Sequence, residues 1–423
     1  MTLFSTTYDW PSSTIEFHSE SAGARDGTAE VIERGGRWIL KSPGNFSGGS
    51  GQPGQRTLSA NLDGAAGVIR GQVFAVDGDL GLLVEEIRIG SPSEIDTLYV
   101  TVTATFEHLA DACAVRREDG EARDPSVPLR FPAAGESPPV DALIDSHHGR
   151  ITLVSSNPEP LEQLEKHLEI FQAMLTFGAD KPCGRLTMIA EEPGGETVTI
   201  FGRDKYAPFG KPHQRPVEFT LRLGAVWTQH AIDRWWLAYE TWLPVLQIVS
   251  GLRYQPGYVD ADVILSSAAI EAVSTRLMQF DAPRLSSEES LPIITALDSL
   301  SELSLKQREA VAQLKGDIGR TTFRSKVEQV LTIVPDEVWV AGKVSKPAWL
   351  RQFMNARNKI AHAGASPIWE NGLLLRGVRD ANWMVLSLVL LAHLQVPRTA
   401  LDRSAERLGN RYASRHRECE VFL

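Results

Sequence analysis

Leu98, Val100, Val102, Ala104 and Phe106 alternate with Tyr99, Thr101, Thr103 and Thr105, the period of a strand with one apolar face. Shorter runs at Arg37–Lys41, Val68–Val76, Leu82–Ile89 and Arg150–Ser155 extend this β-rich pattern to about residue 156. Asp77-Gly78-Asp79 supplies a turn between two of them. Ser42 to Gln55 is a Gly-rich connector without the Gly-Lys-Ser/Thr ending of a phosphate loop. Glu118 to Pro139, mixed in charge, Pro and Gly, reads as a second loop.

The apolar step then lengthens. Leu161, Leu164, Leu168, Phe171 and Leu175 recur at three and four residues and predict one long helix over about Glu159–Phe177, stopped by Gly178. Strands are expected at Arg185–Ala190, Thr197–Gly202 and Val217–Leu223, with Asp204–Pro216 as a loop. Beyond that the chain keeps the helical step. The pattern predicts helices at Gln229–Val249 (interrupted at Pro244), Ala261–Gln279, Glu288–Glu302, Ser304–Lys315, Thr322–Ile333, Pro347–Ala363, Asp380–Leu394 and Ala400–Arg417. The expected fold class is therefore multidomain α+β. A β-rich N-terminal domain with one long helix, residues 1–220, precedes an all-α helical bundle, residues 221–423, with the boundary near 215–227. The Trp227, Trp235, Trp236 and Trp242 cluster is expected to fill the junction between them rather than bind a base.

Composition changes this picture in one respect. Net charge is −10, which argues against a nucleic-acid binder taken as a whole. From Ser345 to the end, however, there are 12 Lys and Arg against 6 Asp and Glu, while the remainder carries 31 against 47. A basic C-terminal section on an acidic chain fits a local polyanion site. Cys113, Cys183 and Cys419 have neither zinc spacing nor an even count, so no metal and no disulfide framework is expected. The chain opens without a basic region and apolar run, and Trp383–Leu394 is too short for a bilayer span. A soluble, cytoplasmic protein without membrane partners is the expectation.

The candidate chemistry lies on the helix predicted from Pro347. Arg357 and His362 stand five positions apart, followed by Gly364 as a stop. Chance alone supplies about one such pair in a chain of this composition, and a second, Arg411…His416, is present. The surroundings separate the two. With Phe353 at the centre of the buried face, Trp349, Ala356 and Ile360 fall close to it. Arg351, Asn355, Asn358 and His362 form a carboxylate-free stripe opposite. Lys346 to Arg379 holds six cations and one acid, Glu370. Such a surface suits a phosphodiester.

An imidazole in the last turn is favoured as imidazolium by the helix dipole and can exchange protons with a ribose 2′-hydroxyl or a leaving 5′-oxygen. A guanidinium at Arg357 can offer a phosphate two N–H donors, and Asn358 can orient either group. The two side chains project about 140° apart on a straight helix, so one copy converges poorly and a two-fold pair is needed. The alternative is a structural Arg357 and a helix-capping His362. His147-His148 beside Asp145 reads as a surface loop, His230 as an N-terminal helix contact, and His393 as a core histidine.

Arg357-Asn358…Ala361-His362, on the penultimate helix pair of a helical C-terminal half, resembles the HEPN superfamily signature. More narrowly it resembles the ApeA-like HEPN proteins of bacterial antiphage defence. The Leu161–Phe177 helix, Ala269-Ile270-Glu271-Ala272 and Phe323-Arg-Ser-Lys-Val-Glu-Gln-Val-Leu331 are local similarities. The resemblance implies a HEPN-like bundle and a metal-independent endoribonuclease without cofactors, working as a homodimer through the helical domain. Arg357, His362 and Asn358 would be catalytic, and Arg351, Asn355 and Lys359 would bind RNA. Glu271 would support the site from behind. Host or phage RNA would be cut to 2′,3′-cyclic phosphate and 5′-hydroxyl ends during abortive infection, and the N-terminal domain would meet a phage-derived trigger. HEPN toxins paired with nucleotidyltransferases carry Tyr two residues after the motif His. Gly364 stands there in this chain, which argues against that regulation. A non-catalytic RNA-binding or scaffolding HEPN protein is the alternative. A third reading is a carbohydrate- or protein-binding β module on a helical oligomerisation domain.

Overall fold

A computed structural model describes residues 14–19, 27–34, 37–41, 55–62, 65–76, 79–90, 97–113, 126–202, 228–254, 258–277, 285–318, 322–362, 372–416 and 419–422. The chain forms two compact units, Met1–Leu237 and Ala238–Leu423. The expected boundary near 215–227 lies outside the described residues, as do the strand expected at Val217–Leu223, the loop at Asp204–Pro216, Trp227, the connector 42–54 and Gly364.

In the first unit, β1 (Thr14–Ser19), β2 (Gly27–Arg34), β3 (Arg37–Lys41), β4 (Gln55–Leu62), β5 (Ala65–Val76) and β6 (Asp79–Gly90) pair antiparallel. β3 also pairs with β6, at Ile39↔Leu83, so the ring β1-β2-β3-β6-β5-β4 closes on itself. Closure removes free edges, and every strand sends side chains inward. Phe17, Ala29, Leu40, Leu58, Leu62, Ile69, Val73, Leu82 and Ile87 fill the interior. The β5–β6 register shifts between Arg70 and Gly71. A Cβ at Gly71 would lie 2.1 Å from the Leu83 carbonyl oxygen, so only glycine permits this close approach.

Beyond its pairing with β3, β6 stays on β5 and takes β12 (Thr197–Phe201) on its other edge. The sheet continues through β11 (Arg185–Glu191), β7 (Leu98–Phe106), β10 (Arg150–Pro160), β9 (Val140–Asp145) and β8 (Ser126–Phe131). Two expectations are corrected here. Val102, Ala104 and Phe106 do face inward, but at the start of β7 it is Tyr99 that is buried while Leu98 is exposed. The β7–β10 register breaks between Val154 and Glu159, and an irregular register exchanges the faces. Part of the loop expected at Glu118–Pro139 is β8, the last strand of the sheet. Its Pro128 is tolerated because an edge strand need not donate on both sides.

A short α1 (Leu109–Cys113) is followed by the expected long helix α2 (Leu161–Ala179), which packs on β7 and β10. It runs through Gly178, and Asp180 takes the left-handed stop with φ 51°. From Ile170 to Ala179 α2 is buried on every side, and that stretch is apolar but for Gln172 and Thr176. The first turns of α3 (Gln229–Thr241) bring in Trp235, whose Nε1 donates to the Ile170 carbonyl at 3.0 Å, and Trp236, whose ring lies 4.3 Å from that of Phe131.

The second unit is helical. α4 (Leu243–Tyr254) is separate from α3, the expected interruption at Pro244. α5 (Val259–Leu277) and α11 (Gly372–His393) form its centre, with α4, α8 (Phe323–Leu331) and α10 (Lys346–His362) against them. α12 (Arg398–Arg415) packs on α11 and on α9 (Asp336–Ala341), a six-residue helix that the periodicity did not predict. α6 (Ser287–Asp298) and α7 (Leu305–Asp317) complete the set among the described residues, and α6 buries none of its side chains. α11 begins eight residues before the expected Asp380, because Gly372 and Gly377 interrupt the apolar pattern without interrupting the helix. None of the described helices is long and apolar enough to cross a membrane.

Candidate nucleic-acid interface

α10 starts where its backbone is tied down. Ser345 accepts the first helical bond from the Trp349 N–H at 2.8 Å, and its own N–H donates to the Val421 carbonyl at 3.0 Å. Pro347 falls in the first turn, where a missing N–H costs nothing. One face is buried: Trp349, Leu350, Phe353 and Ala356. The Trp349 and Phe353 rings stack 5.1 Å apart at 9°. The Trp349 Nε1 donates to Asn382 Oδ1 of α11 at 2.9 Å, and Asn382 Nδ2 donates to Ser266 Oγ of α5 at 2.9 Å. This buried, fully bonded chain fixes the rotation of α10 against both central helices.

The opposite face is polar and exposed, with Arg351, Asn355, Asn358 and Lys359 at the surface. His362 is the last residue of α10, and its side chain lies outside the described part of the structure. Arg357 is half-buried between the two faces. Its guanidinium carbon lies 4.2 Å above the centre of the Phe323 ring, on α8, and its Nη1 reaches Asn358 Oδ1 at a long 3.5 Å.

Several neighbouring cations differ from it. Arg351 pairs with Glu420 at 2.6 Å, Arg379 with Asp380 at 2.7 Å, and Arg324 with Glu328 at 2.9 Å. Lys346 pairs with Asp336. Glu271 pairs at 3.5 Å with Lys326, on the same helix as Phe323, and is bound to that lysine rather than to Arg357. Among the described residues no carboxylate pairs with Arg357. A guanidinium over a ring, with no carboxylate partner, has N–H donors for a bidentate anion, and its half-buried setting weakens solvent screening.

The chain matches no family model, no curated protein and no solved structure.

The other histidines have local roles. The His147 and His148 backbone N–H groups both donate to Asp145 Oδ1 at 3.1 Å, and the His148 ring meets Asp145 Oδ2 at 2.7 Å. Burial raises the Asp145 carboxyl, but the hydrogen bonds from His148 outweigh it and leave that group below its ordinary value. This is the surface-loop arrangement expected. His393 stacks on Trp242 at 4.2 Å and is half-buried. His230 is exposed in the first turn of α3. Sequence reasoning missed the role of Phe323. An aromatic at the start of a helix 34 positions before the arginine carries no periodic signal toward it.

Proposed function

We propose that this chain is a metal-independent endoribonuclease of the HEPN type, with a HEPN-like helical bundle built around α10. The observation that carries the reading is Arg357: a half-buried guanidinium, laid on an aromatic ring and without a carboxylate among the described residues. Such a group favours binding an anion over structural ion pairing. The exposed Arg351, Asn355, Asn358 and Lys359 would follow the RNA backbone.

Arg357 and His362 leave one helix in directions about 140° apart, so the reading requires two copies about a two-fold axis. In the composite site the imidazole of one His362 takes the proton from the ribose 2′-hydroxyl as its oxygen attacks phosphorus. The imidazolium of the other protonates the 5′-oxygen as the P–O5′ bond breaks. Arg357 holds the extra negative charge of the transition state, and Asn358 steadies the guanidinium. The products are a 2′,3′-cyclic phosphate and a 5′-hydroxyl. In this reading the barrel-bearing N-terminal unit meets the phage-derived trigger, and cleavage of host or phage RNA in the cytoplasm arrests infection.

Incubating the purified protein with total RNA in EDTA tests this directly, with end-group analysis of the fragments. Cleavage by the wild type and none by His362→Ala is the expected result, and equal cleavage by both overturns it. The exposed stripe also fits a non-catalytic RNA-binding protein. Salt-dependent binding with no cyclic-phosphate ends would favour that second reading.

A further inference from the structure

Phe323 is the first residue of α8, and three independent contacts fix where its ring sits. Thr322 caps the helix, its Oγ1 accepting from the Ser325 N–H at 3.1 Å. One turn on, Lys326 pairs with Glu271 of α5 at 3.5 Å. The ring itself lies 5.9 Å from that of Phe353, the fully buried centre of the α10 face. The guanidinium of Arg357 rests on the opposite end of this chain of contacts, 4.2 Å from the ring centre.

That contact holds the guanidinium without an ion pair among the described residues. The start of α8 is the positive end of a helix dipole, where a cation is disfavoured. A carboxylate partner, such as Glu328 is for Arg324 on the same helix, would neutralise the guanidinium. An aromatic face instead restricts the four-bond side chain without neutralising it.

We propose that Phe323 is a positioning residue for Arg357. Its ring holds the guanidinium in one orientation, with the N–H edge turned to where a scissile phosphate would gain charge. The role rests on the ribonuclease reading, since it supplies geometry to that site. Restricting a side chain with many rotamers to one productive arrangement raises its effective concentration by on the order of tenfold.

The test compares Phe323→Leu, which keeps apolar volume but removes the ring face, with Phe323→Tyr, which keeps the face. Single-turnover cleavage of a short RNA, RNA affinity and urea midpoint are measured for both, alone and combined with Arg357→Ala. Phe323→Leu is expected to lower the single-turnover rate about tenfold while RNA affinity stays within about twofold. Phe323→Tyr should stay within about twofold of wild type. Adding Phe323→Leu to Arg357→Ala should cost nothing further. Wild-type rates in Phe323→Leu, failure of Phe323→Tyr to retain them, or an equal loss in the Arg357→Ala background would each overturn the proposal.

A readout free of catalysis separates this from the ribonuclease reading. In protein labelled with ¹⁵N-arginine, the Arg357 Nε–H resonance should be shifted upfield by the ring and collapse to the averaged arginine position in Phe323→Leu. If wild type does not cut RNA, the ribonuclease reading fails, yet this collapse still supports the positioning contact. A resonance unaltered in Phe323→Leu overturns it.

Discussion

The two Arg…His pairs of this chain share one spacing, and the members described by their contacts, His416 of one and Arg357 of the other, have opposite surroundings. His416, which follows α12, places its Nε2 2.9 Å from Asp380 Oδ2 and its ring 5.9 Å from that of Phe422 at 14°. Both side chains of the pair are at most a tenth exposed. The other Asp380 oxygen accepts from Arg379 at 2.8 Å, and Arg379 approaches buried Asp262 at 4.0 Å. Gly377 makes room for the tail, since a Cβ there would lie 2.6 Å from Cys419 Sγ. Every partner of His416 is inside the protein, and the result is a staple that holds the C-terminal segment on α11. Arg357, by contrast, has a ring and an amide for neighbours. An ionisable group already matched by protein charges is committed to folding, whereas one surrounded by uncharged groups can still meet a ligand.

The largest effect should come from exchanging the treatment of the two pairs. Arg357→Ala is expected to slow RNA cleavage by about 10²–10³-fold with little change in the urea midpoint. His416→Ala should do the reverse, lowering the midpoint while leaving cleavage per folded molecule intact. Equal losses of cleavage in both would erase the distinction. Asp380→Ala sharpens it from the folding side. It removes the carboxylate shared by the buried His416 ring and the partly exposed Arg379 and should destabilise the helical unit by about 1–3 kcal/mol, read from urea unfolding followed by tryptophan fluorescence.

Asn382→Ala probes what holds the motif helix itself. It leaves the buried Trp349 indole N–H without its acceptor, while the Ser266 hydroxyl still donates to the Val263 carbonyl, and should cost about 1–3 kcal/mol, with increased amide exchange in α10. The effect of Arg351→Ala should be smaller. Its pair with Glu420 is exposed on both sides, so stability should change by less than about 1 kcal/mol. RNA affinity should weaken and the slope of log affinity against log salt fall by about 1.

A buried histidine without an acid completes the comparison. His167 is fully buried, with its Nε2 2.9 Å from the Pro138 carbonyl oxygen and its Nδ1 without a hydrogen-bond partner. Burial pushes its pKa down, and the contact with Pro138 only partly restores it. The folded state therefore binds fewer protons than the unfolded one. Its contribution is fully present above the ordinary histidine value of about 6.5 and is lost as pH falls through the depressed folded value. His167→Gln should flatten the stability of the N-terminal unit below about pH 6.5, measured by unfolding from about one unit above that value to about one and a half below it.

Local patterns were legible wherever one face of an element decides burial. The α10 faces follow a 100° step, so Trp349, Phe353 and Ala356 inside and Arg351, Asn355 and Asn358 outside could be placed from residue order alone. The β7 alternation gave Val102, Ala104 and Phe106 for the same reason. It failed at Leu98 and Tyr99, where a register break in the partner strand, 50-odd positions along the chain, exchanges the faces. Closure of the ring through β3 and β6 had no signal either, because strand periodicity says which side faces inward and not which strand lies beside it.

Residue order by itself determined the division into β-rich and helical halves, the buried face of the motif helix and the polar stripe against it, since periods of two and 3.6 are properties of the local backbone. Only the tertiary structure decided that His416 was taken up by the fold and that Arg357 was laid on a ring. Asp380 and Phe323 reach their partners from other helices, and contacts between elements depend on packing that no spacing along the chain encodes.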